Sequence, residues 1–422
     1  MTYGEALEYL SSVGMLGGRP GLERMAVLLE DLGHPERDLL FLHVAGTNGK
    51  GSTAALLSSC LRQAGYRVGL FTSPHLVRYN ERFRINGTPL SDEALARALS
   101  RVRPAAERLP ETPTQFELLT CAALVAFREA GCEAAVLEVG LGGRLDATNA
   151  IPTSEVSVIT RIGLDHTELL GDTLEKISWE KAGIVKPGGQ VVLGDHTPSV
   201  VRVVEEVCRE RGAALRLASP ALPLERSLEG QFFRWGAYDR LPLSLLGAHQ
   251  LQNAATALTA LELLRERGWR IPETAVRRGL ETAVWPGRME PAGRRPCILI
   301  DGGHNRQGAE AIAATLRDYF PGSRCRFLLG VLGDKDVHGI LQALVPLAEE
   351  IAAVTPDSPR ALPAQALCRR LREDFQFLNA TAWPGPEAAL SHLRSCAAEE
   401  DVICVCGSLY MIGRVRALLG LP

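Results

Sequence analysis

The stretch "HVAGTNGKGST", residues 43–53, has the residue types of a loop that grips phosphate. The strict form of such a motif is G-x-x-x-x-G-K-[ST]. Gly49 and Lys50 supply its G-K pair, but a valine stands at the first glycine position. Gly51 replaces the hydroxyl residue that would hold magnesium, and Ser52 follows one place later. The loop is therefore either a plain glycine turn or part of a different class of nucleotide site.

The segments on either side of this loop favour phosphate binding. An apolar run at 39–45 predicts a strand that ends at the loop. The sequence "TAALLSSCLRQAG" after the loop has helical periodicity, with Gly65 as its expected end. Backbone N–H groups and the positive end of the helix dipole would then meet at the loop, and Lys50 could reach the β- and γ-phosphates.

Short apolar runs that alternate with helical patterns predict a parallel α/β architecture. The predicted strands are 39–45, 67–71, 134–139 and 156–160, then 297–300, 326–332, 351–355 and 402–406. The segment 286–296 separates the two series and is rich in proline, glycine and arginine, so we predict domains at 1–293 and 294–422. Residues 220–245 are consistent with a β-hairpin excursion.

Length and composition set the class of protein. A chain of 422 residues is expected to form about two domains, and 46% hydrophobic and 23% charged residues are ordinary for a globular protein. The net charge of −3 favours small-molecule partners over nucleic acid. The start resembles no export signal, and no apolar stretch is long enough to span a membrane. We expect a cytoplasmic monomer whose ten cysteines are small buried hydrophobes.

Three further strand ends carry polar residues, and ligands of open parallel sheets bind beyond the carboxyl ends of strands. Ser73, in "FTSPHL", either ligates a metal or shapes a turn, and the turn is favoured on this segment alone. Glu138 lies inside an apolar strand, where its carboxylate must bind a cation or join a buried salt bridge. Asp165 and His166 follow the strand at 156–160 and are expected at the same sheet edge.

The segment "LEVGLGGRLDATN", 137–149, opens with G-x-G-G and so is similar to a dinucleotide-binding fingerprint. Leu145 takes the third-glycine position, and the following "DATNAIP" cannot start a crossover helix. Both features exclude NAD binding.

The next predicted helix places a lysine on its apolar side. Asp172 and Glu175 have capping-box spacing, and Gly183 is the expected end. Lys181 shares its face with Leu174, Ile177 and Ser178. A lysine there is costly unless it is paired, for instance with Glu138, or has reacted with CO2 to form an anionic carbamate.

Taken together, these segments closely resemble the folylpolyglutamate synthase/dihydrofolate synthase family of the Mur ligase superfamily. The matching motifs are "GTNGKGS", "SPHL", "EVGLGGRLDATN", "LDHTELLG", "EKAGI", "GAHQLQNAATAL", "WPGRME", "DGGHN", "LGDKD" and "CGSLY". They occur in family order and span nearly the whole chain. The resemblance implies a P-loop-type Mur ligase central ATPase domain with a mainly parallel sheet, a smaller Rossmann-like C-terminal α/β domain, and ATP between them.

The resemblance also implies roles for individual residues. ATP would be bound by Gly46, Thr47, Asn48, Gly49, Lys50, Gly51, Ser52, Asn253, Arg288, Asp301 and His304. One or two Mg²⁺ ions, or Mn²⁺, would be held by Ser73, Glu138 and His166. The catalytic residues would be Lys50, His166 and Lys181, the last matching a lysine that is carbamylated in relatives. Dihydropteroate would be contacted by Leu145, Asp146 and Ala147. "RPGLERM", 19–25, resembles the pterin-side segment, although Arg19 and Pro20 depart from its pattern.

The implied reaction is ATP-dependent addition of L-glutamate to dihydropteroate, to the glutamate tail of reduced folates, or to both. It would proceed through an acyl phosphate and yield ADP and phosphate, with only small molecules as partners. "RLDATN" is more similar to bifunctional bacterial members than to monofunctional ones. One alternative is a cell-wall Mur ligase acting on a UDP-muramoyl peptide, which "GTNGKGS" and "GLGGRLDATN" disfavour. The other is a nucleotide-binding regulatory protein without ligase activity.

Overall fold

The structure, a computed structural model, describes residues 1–14 and 21–421, so Arg19 and Pro20 lie outside the described residues. The chain divides into two compact units. The first contains Met1–Ala221, Trp235–Leu241 and Gln252–Ala283. The second contains Leu222–Arg234, Pro242–Leu251 and Val284–Pro422.

A mainly parallel eight-stranded sheet organises the first unit. Its strands are β1 (Leu40–Ala45), β2 (Val68–Phe71), β3 (Phe83–Ile85), β4 (Thr88–Pro89), β5 (Ala134–Glu138), β6 (Val156–Ile159), β7 (Gln190–Leu193) and β8 (Ala214–Leu217). Across the sheet the order is β4-β3-β2-β5-β1-β6-β7-β8. β3 pairs antiparallel with β2 and β4, and the other pairs are parallel. The carboxyl ends of β2, β5, β1 and β6 therefore lie side by side.

Helices follow or connect these strands. They are α1 (Tyr3–Ser12), α2 (Glu23–Asp31), α3 (Lys50–Gln63), α4 (Asp92–Arg108), α5 (Gln115–Glu129), α6 (Thr167–Leu170), α7 (Leu174–Ala182), α8 (Pro198–Glu210), α9 (Ala248–Glu266) and α10 (Glu273–Glu281). Short 3-10 turns occur at Pro35–Asp38, Tyr79–Arg82 and Ala147–Ala150. One apolar core joins the sheet to α1, α2, α4 and α5, and another joins it to α7 and α8.

The region 222–243 forms a three-stranded sheet of β9 (Leu222–Ser227), β10 (Gly230–Trp235) and β11 (Tyr238–Leu243), in which β9 and β10 pair antiparallel. The hairpin predicted for 220–245 is thus confirmed and extended by one strand.

A six-stranded sheet organises the second unit, in the order β12-β13-β17-β14-β15-β16. Its strands are β12 (Glu290–Arg294), β13 (Cys297–Ile300), β14 (Cys325–Leu329), β15 (Ala348–Ala353), β16 (Ala380–Ala382) and β17 (Val402–Cys406). Its helices are α11 (Arg306–Tyr319), α12 (Val337–Leu344), α13 (Ala364–Phe375), α14 (Pro386–Cys396) and α15 (Leu409–Leu418), with a 3-10 turn at Val345–Leu347. β12 pairs antiparallel with β13, and the other pairs are parallel.

The α/β fold with mostly parallel sheets is confirmed, and the eight predicted strands occur within three residues of their expected bounds. The segment 286–296 is not simply a linker, because β12 lies within it and joins the second sheet. The second unit accordingly takes in residues from Val284 onward, whereas the domain bounds 1–293 and 294–422 remain a prediction. Nine of the ten cysteines are buried, as expected, and Cys396 is exposed. In the described part of the chain, no helix has the length and apolar character needed to cross a bilayer.

Candidate active site

The phosphate loop, residues 46–49, joins β1 to α3. The helix begins at Lys50, three residues earlier than the sequence pattern indicated, so "KGS" forms its first turn. Gly49 precedes the helix in the left-handed region, with φ of 90°. The Lys50 ammonium donates to the Thr47 carbonyl at 3.3 Å. Because the first N–H groups of a helix lack intrahelical acceptors, this turn presents donors suited to an anion.

The loop is tied to the segment that follows β6. The backbone N–H groups of Thr47 and Asn48 both donate to the Arg161 carbonyl, at 2.9 and 3.2 Å. The Thr47 hydroxyl accepts from the Gly163 N–H at 3.0 Å and donates to the Gly163 carbonyl at 3.1 Å. The Thr160 hydroxyl donates to the Asn48 carbonyl at 2.8 Å. These bonds fix the phosphate loop relative to the strand end that carries Asp165 and His166.

Asn253, a predicted nucleotide residue, lies against the same loop. A β-carbon added to Gly49 would stand only 2.2 Å from the Asn253 amide oxygen. Gly49 therefore has two reasons to be glycine, its positive φ and this close approach. The structure thus brings the α9 amide to the start of α3.

Ser73 and Glu138 meet at adjacent strand ends. The Ser73 N–H donates to the Glu138 carboxylate at 3.2 Å, and Glu138 is 5% exposed. His166 follows β6, and β1 lies between β6 and β5 in the sheet. The backbone N–H of His166 donates to the Asp165 carboxylate at 2.9 Å. No cluster of three or more His, Cys, Asp or Glu side chains in metal-binding arrangement occurs among the described residues. Ser73, Glu138 and His166 offer a hydroxyl, a carboxylate and an imidazole at one sheet edge, a donor set that fits a hard divalent ion through its oxygens.

Lys181 is buried, with 5% exposure, on the apolar face of α7, as predicted. Its ammonium donates to the Gly46 carbonyl at 2.8 Å. The alternative salt bridge to Glu138 is not formed among the described residues.

Burial lowers the pKa of Lys181 to about 7, and the positive charge of Lys50 acts in the same direction, while Asp165, Asp146 and Glu180 oppose it. Lys181 is therefore a lysine that can lose its proton near neutral pH, placed on the phosphate loop.

The start of α7 differs from the expected capping box. Thr173 is the N-cap, and its hydroxyl accepts from the Lys176 N–H at 3.3 Å. Asp172 lies one residue too early for the box and pairs instead with the Lys176 side chain at 2.8 Å. A threonine can satisfy the free N–H as well as an aspartate can, so sequence spacing alone did not distinguish them.

Asp146, predicted to contact the pterin, uses its carboxylate within its own loop. It accepts from the N–H groups of Gly140 and Leu141 at 3.0 and 2.9 Å, and from the N–H and hydroxyl of Thr148 at 3.0 and 2.5 Å. Burial raises its pKa, and these hydrogen bonds oppose the shift. Ala147 is also buried, whereas Leu145 is exposed. Leu145 is thus the most accessible of the three predicted pterin contacts.

A buried histidine completes this arrangement. His43 Nε2 lies 2.8 Å from the Thr148 hydroxyl, which itself donates to Asp146. His43 Nε2 must therefore carry the proton and donate. Burial lowers the pKa of His43 to about 3, so the ring is neutral. A chain of three side chains, His43, Thr148 and Asp146, holds the loop against β1.

In the second unit, Asp301 organises the loop that follows β13. Its carboxylate accepts from the N–H groups of Met289 and Gly303, at 2.8 and 2.6 Å. These two residues are the chain neighbours of Arg288 and His304. Arg288 donates to the Gly287 carbonyl at 2.9 Å, and His304 Nδ1 lies 2.9 Å from the Gly302 carbonyl. The Asp301 carboxylate therefore ties together the two segments that carry Arg288 and His304.

Comparison with known proteins finds matches over most of the chain. Residues 44–261 match the Mur ligase middle domain, and residues 287–409 match the Mur ligase glutamate ligase domain. A Bacillus subtilis (strain 168) protein named dihydrofolate synthase/folylpolyglutamate synthase is 36% identical over 430 residues, with 99% of both chains covered. The solved structure of Escherichia coli FolC in complex with DHPP and ADP is 32% identical, with a TM-score of 0.88 over 100% of this chain and 98% of that one.

The chain belongs to the folylpolyglutamate synthase/dihydrofolate synthase family of Mur ligases. It is an ATP-dependent ligase with the two-part α/β architecture of that family, and the cell-wall alternative is not supported. A further solved bifunctional folylpolyglutamate synthase/dihydrofolate synthase has Mn, AMPPNP and L-glutamate bound. It is 33% identical, with a TM-score of 0.87 over 100% of this chain and 98% of that one. Nucleotide, a divalent metal, L-glutamate and DHPP are thus among the ligands bound in solved members of the family.

Several residues of this family member were not singled out from the sequence. They are His43, Thr148, Thr160, Arg161 and Gly163, which brace the two loops described above. Asp195 acts similarly, since its carboxylate accepts from the Ile162 N–H at 2.8 Å. Asp195 follows β7, which is not among the predicted strands, so no signal in the sequence marked this residue.

Proposed function

We propose that this protein adds L-glutamate to dihydropteroate, to the glutamate tail of reduced folates, or to both, with ATP as the energy source. The observation that carries the proposal is the phosphate loop itself. Lys50 lies at its end, at the N-terminus of α3, and the buried Lys181 donates a hydrogen bond to its Gly46 carbonyl. A carboxylate and a hydroxyl residue, Glu138 and Ser73, adjoin it at neighbouring strand ends. This arrangement suits phosphoryl transfer to an anionic acceptor.

The proposed chemistry has two steps. A carboxylate oxygen of the folate substrate bonds to the γ-phosphorus of ATP, and the bond from that phosphorus to the bridging oxygen breaks, so ADP leaves with the electron pair. The glutamate amine then bonds to the acyl carbon, the bond from that carbon to the phosphate oxygen breaks, and phosphate leaves. The amine gives up a proton in this step.

The first step must bring two anions together, so positive potential is the main requirement. Lys50 and the first N–H groups of α3 would supply it, and Gly46, Thr47, Asn48, Gly49, Gly51 and Ser52 would surround the phosphates. Ser73, Glu138 and His166 would hold the divalent ion, which would neutralise charge on the transferring group. We assign no general-base role to Glu138, because it is needed as a ligand.

We further propose that Lys181 carries a carbamate. Its amine nitrogen would bond to the carbon of CO2, one C–O π bond would open, and a proton would leave. The lowered pKa of Lys181, about 7, supplies the neutral amine that this reaction needs. The resulting anion would lie at Gly46, at the base of the phosphate loop.

The function is tested by phosphate release with ATP and L-glutamate. We expect turnover with 7,8-dihydropteroate, with a tetrahydrofolate, or with both, and none with a UDP-muramoyl acceptor. Activity with dihydropteroate and tetrahydrofolate alike would support a bifunctional enzyme. Turnover with only the muramoyl acceptor, or ATP binding without glutamate-dependent phosphate release, would overturn the proposal.

Arg288, Asp301, His304 and Asn253 are proposed to contact the nucleotide. Asp301→Asn should raise KM for ATP roughly tenfold, because an amide oxygen can replace only part of a carboxylate that accepts two backbone N–H groups. Steady-state kinetics with varied ATP would measure the change. Asp334→Asn is a suitable control, since Asp334 forms an exposed pair with Arg360. An unchanged KM for ATP in Asp301→Asn would remove this residue from the nucleotide site.

Two coarser properties are also proposed. Ten cysteines that are all free thiols support a reducing, cytoplasmic location. A monomer is proposed because one chain carries the full set of candidate ATP and metal residues. Light scattering should give a mass near 45.6 kDa, and a dimer mass would refute this.

A further inference from the structure

The loop that follows β5 is fastened to the end of α7. The Arg144 N–H donates to the Glu180 carbonyl at 2.9 Å. The Asn149 amide donates to the carbonyls of Arg144 and Gly183, at 3.0 and 3.2 Å. A β-carbon on Gly143 would come within 2.9 Å of the Glu180 carbonyl oxygen, so only glycine permits this approach. These contacts place the loop directly on the last turn of α7.

Arg144 adds a side-chain connection to the same turn. Its Nη2 donates to the Glu180 carboxylate at 2.9 Å. Its guanidinium carbon lies 4.7 Å from the centre of the Trp179 ring, over the ring face. Trp179 and Glu180 immediately precede Lys181. The arginine thus contacts both residues that lead into the lysine on the phosphate loop.

One atom of Arg144 suggests that stability is not its main role. Its Nε is buried and has no hydrogen-bond partner among the described residues. A buried N–H without an acceptor opposes folding, and alanine or lysine at this position would avoid that cost. An arginine that served only to stabilise the fold would not be expected to leave a buried N–H without an acceptor.

We propose that Arg144 is a positioning residue, which acts through Glu180 and Trp179 to hold Lys181 against the Gly46 carbonyl. The inference rests on the proposed function of Lys181. It connects the candidate substrate loop, residues 140–147, to the phosphate loop by a continuous path through the end of α7. Small displacements of reacting groups lower the rate of the chemical step strongly. Loss of this path should therefore lower kcat more than it weakens substrate binding.

The test compares variants by phosphate release, with thermal unfolding measured in parallel. Arg144→Ala should lower kcat about 10- to 100-fold while KM for ATP changes much less and Tm does not fall. Arg144→Lys should restore part of the activity, because it keeps the charge for Glu180 but lacks the planar fork and the ring contact. Glu180→Gln should also lower kcat, and the double variant should be no slower than the slower single variant, since both changes break one connection.

Arg103→Ala is the matched control. Arg103 also pairs with a glutamate, Glu107, at 2.6 Å and lies 5.1 Å over the Tyr9 ring, but on α4. The Arg103→Ala change should leave kcat unchanged. Wild-type kcat in Arg144→Ala, additive effects of the two single changes, or an equal loss in Arg103→Ala would overturn the inference. If Arg144→Ala does not fold, Arg144→Lys and Glu180→Gln decide alone. Normal turnover in Lys181→Ala would instead refute the proposed role of Lys181.

Discussion

Lys50→Ala is expected to lower kcat by roughly 10³-fold, with a rise in KM for ATP. Lys50 is the first residue of α3, and its side chain now donates to the Thr47 carbonyl, within the loop that would surround the phosphates. The γ-phosphate gains an anionic neighbour in the first step, and removal of the nearest ammonium would leave that charge without its partner. Phosphate release at saturating glutamate and folate substrate measures the effect.

Lys176→Ala separates this effect from a general loss of positive charge. Lys176 is an exposed lysine on α7 that pairs with Asp172 at 2.8 Å. Such an exposed ion pair contributes little to stability. Its removal should leave kcat unchanged. A Lys50→Ala enzyme within a few-fold of wild type, or an equal loss in both variants, would mean that "GTNGKGS" does not bind the transferring phosphate.

The strands and the sheet edge could be predicted from the sequence because buried parallel strands are continuous apolar runs. β1, β2, β5 and β6 were expected near their observed bounds, and the polar residues that follow them were expected at one edge. The Ser73–Glu138 contact agrees with that expectation. A single glutamate inside an apolar run is a strong signal, because burial of an unpaired carboxylate is so unfavourable.

The bracing of the loops could not be predicted in this way. The strand order β2-β5-β1-β6 is not the chain order, so the sequence did not indicate which loops would touch. Thr47 and Gly163 are 116 residues apart, and His43 and Thr148 are 105 apart. Threonines and backbone carbonyls are too common to stand out. The hydrogen bond from Lys181 to the Gly46 carbonyl could not be predicted for the same reason, because a backbone carbonyl leaves no trace in residue type.

Lys181→Ala is expected to lower kcat about 10²- to 10³-fold, because the carbamate that is proposed to orient the divalent ion and the γ-phosphate would be lost. The wild-type enzyme should also lose activity as the pH falls through about 7. Burial and the charge of Lys50 hold the pKa of Lys181 near that value. Above it the amine is neutral and can attack CO2; below it the ammonium has no lone pair to do so. Added bicarbonate should therefore partly restore activity near neutral pH.

Nuclear magnetic resonance with ¹³C-labelled bicarbonate would detect the carbamate directly. The wild-type enzyme and Lys176→Ala should both give a carbamate signal, and Lys181→Ala should not. Lys176 serves as the comparison because it lies on the same helix, exposed and ion-paired, where no burial favours its neutral form. A signal that survives in Lys181→Ala would place the carbamate elsewhere. Normal turnover in Lys181→Ala would mean that this lysine only braces the loop through the Gly46 carbonyl.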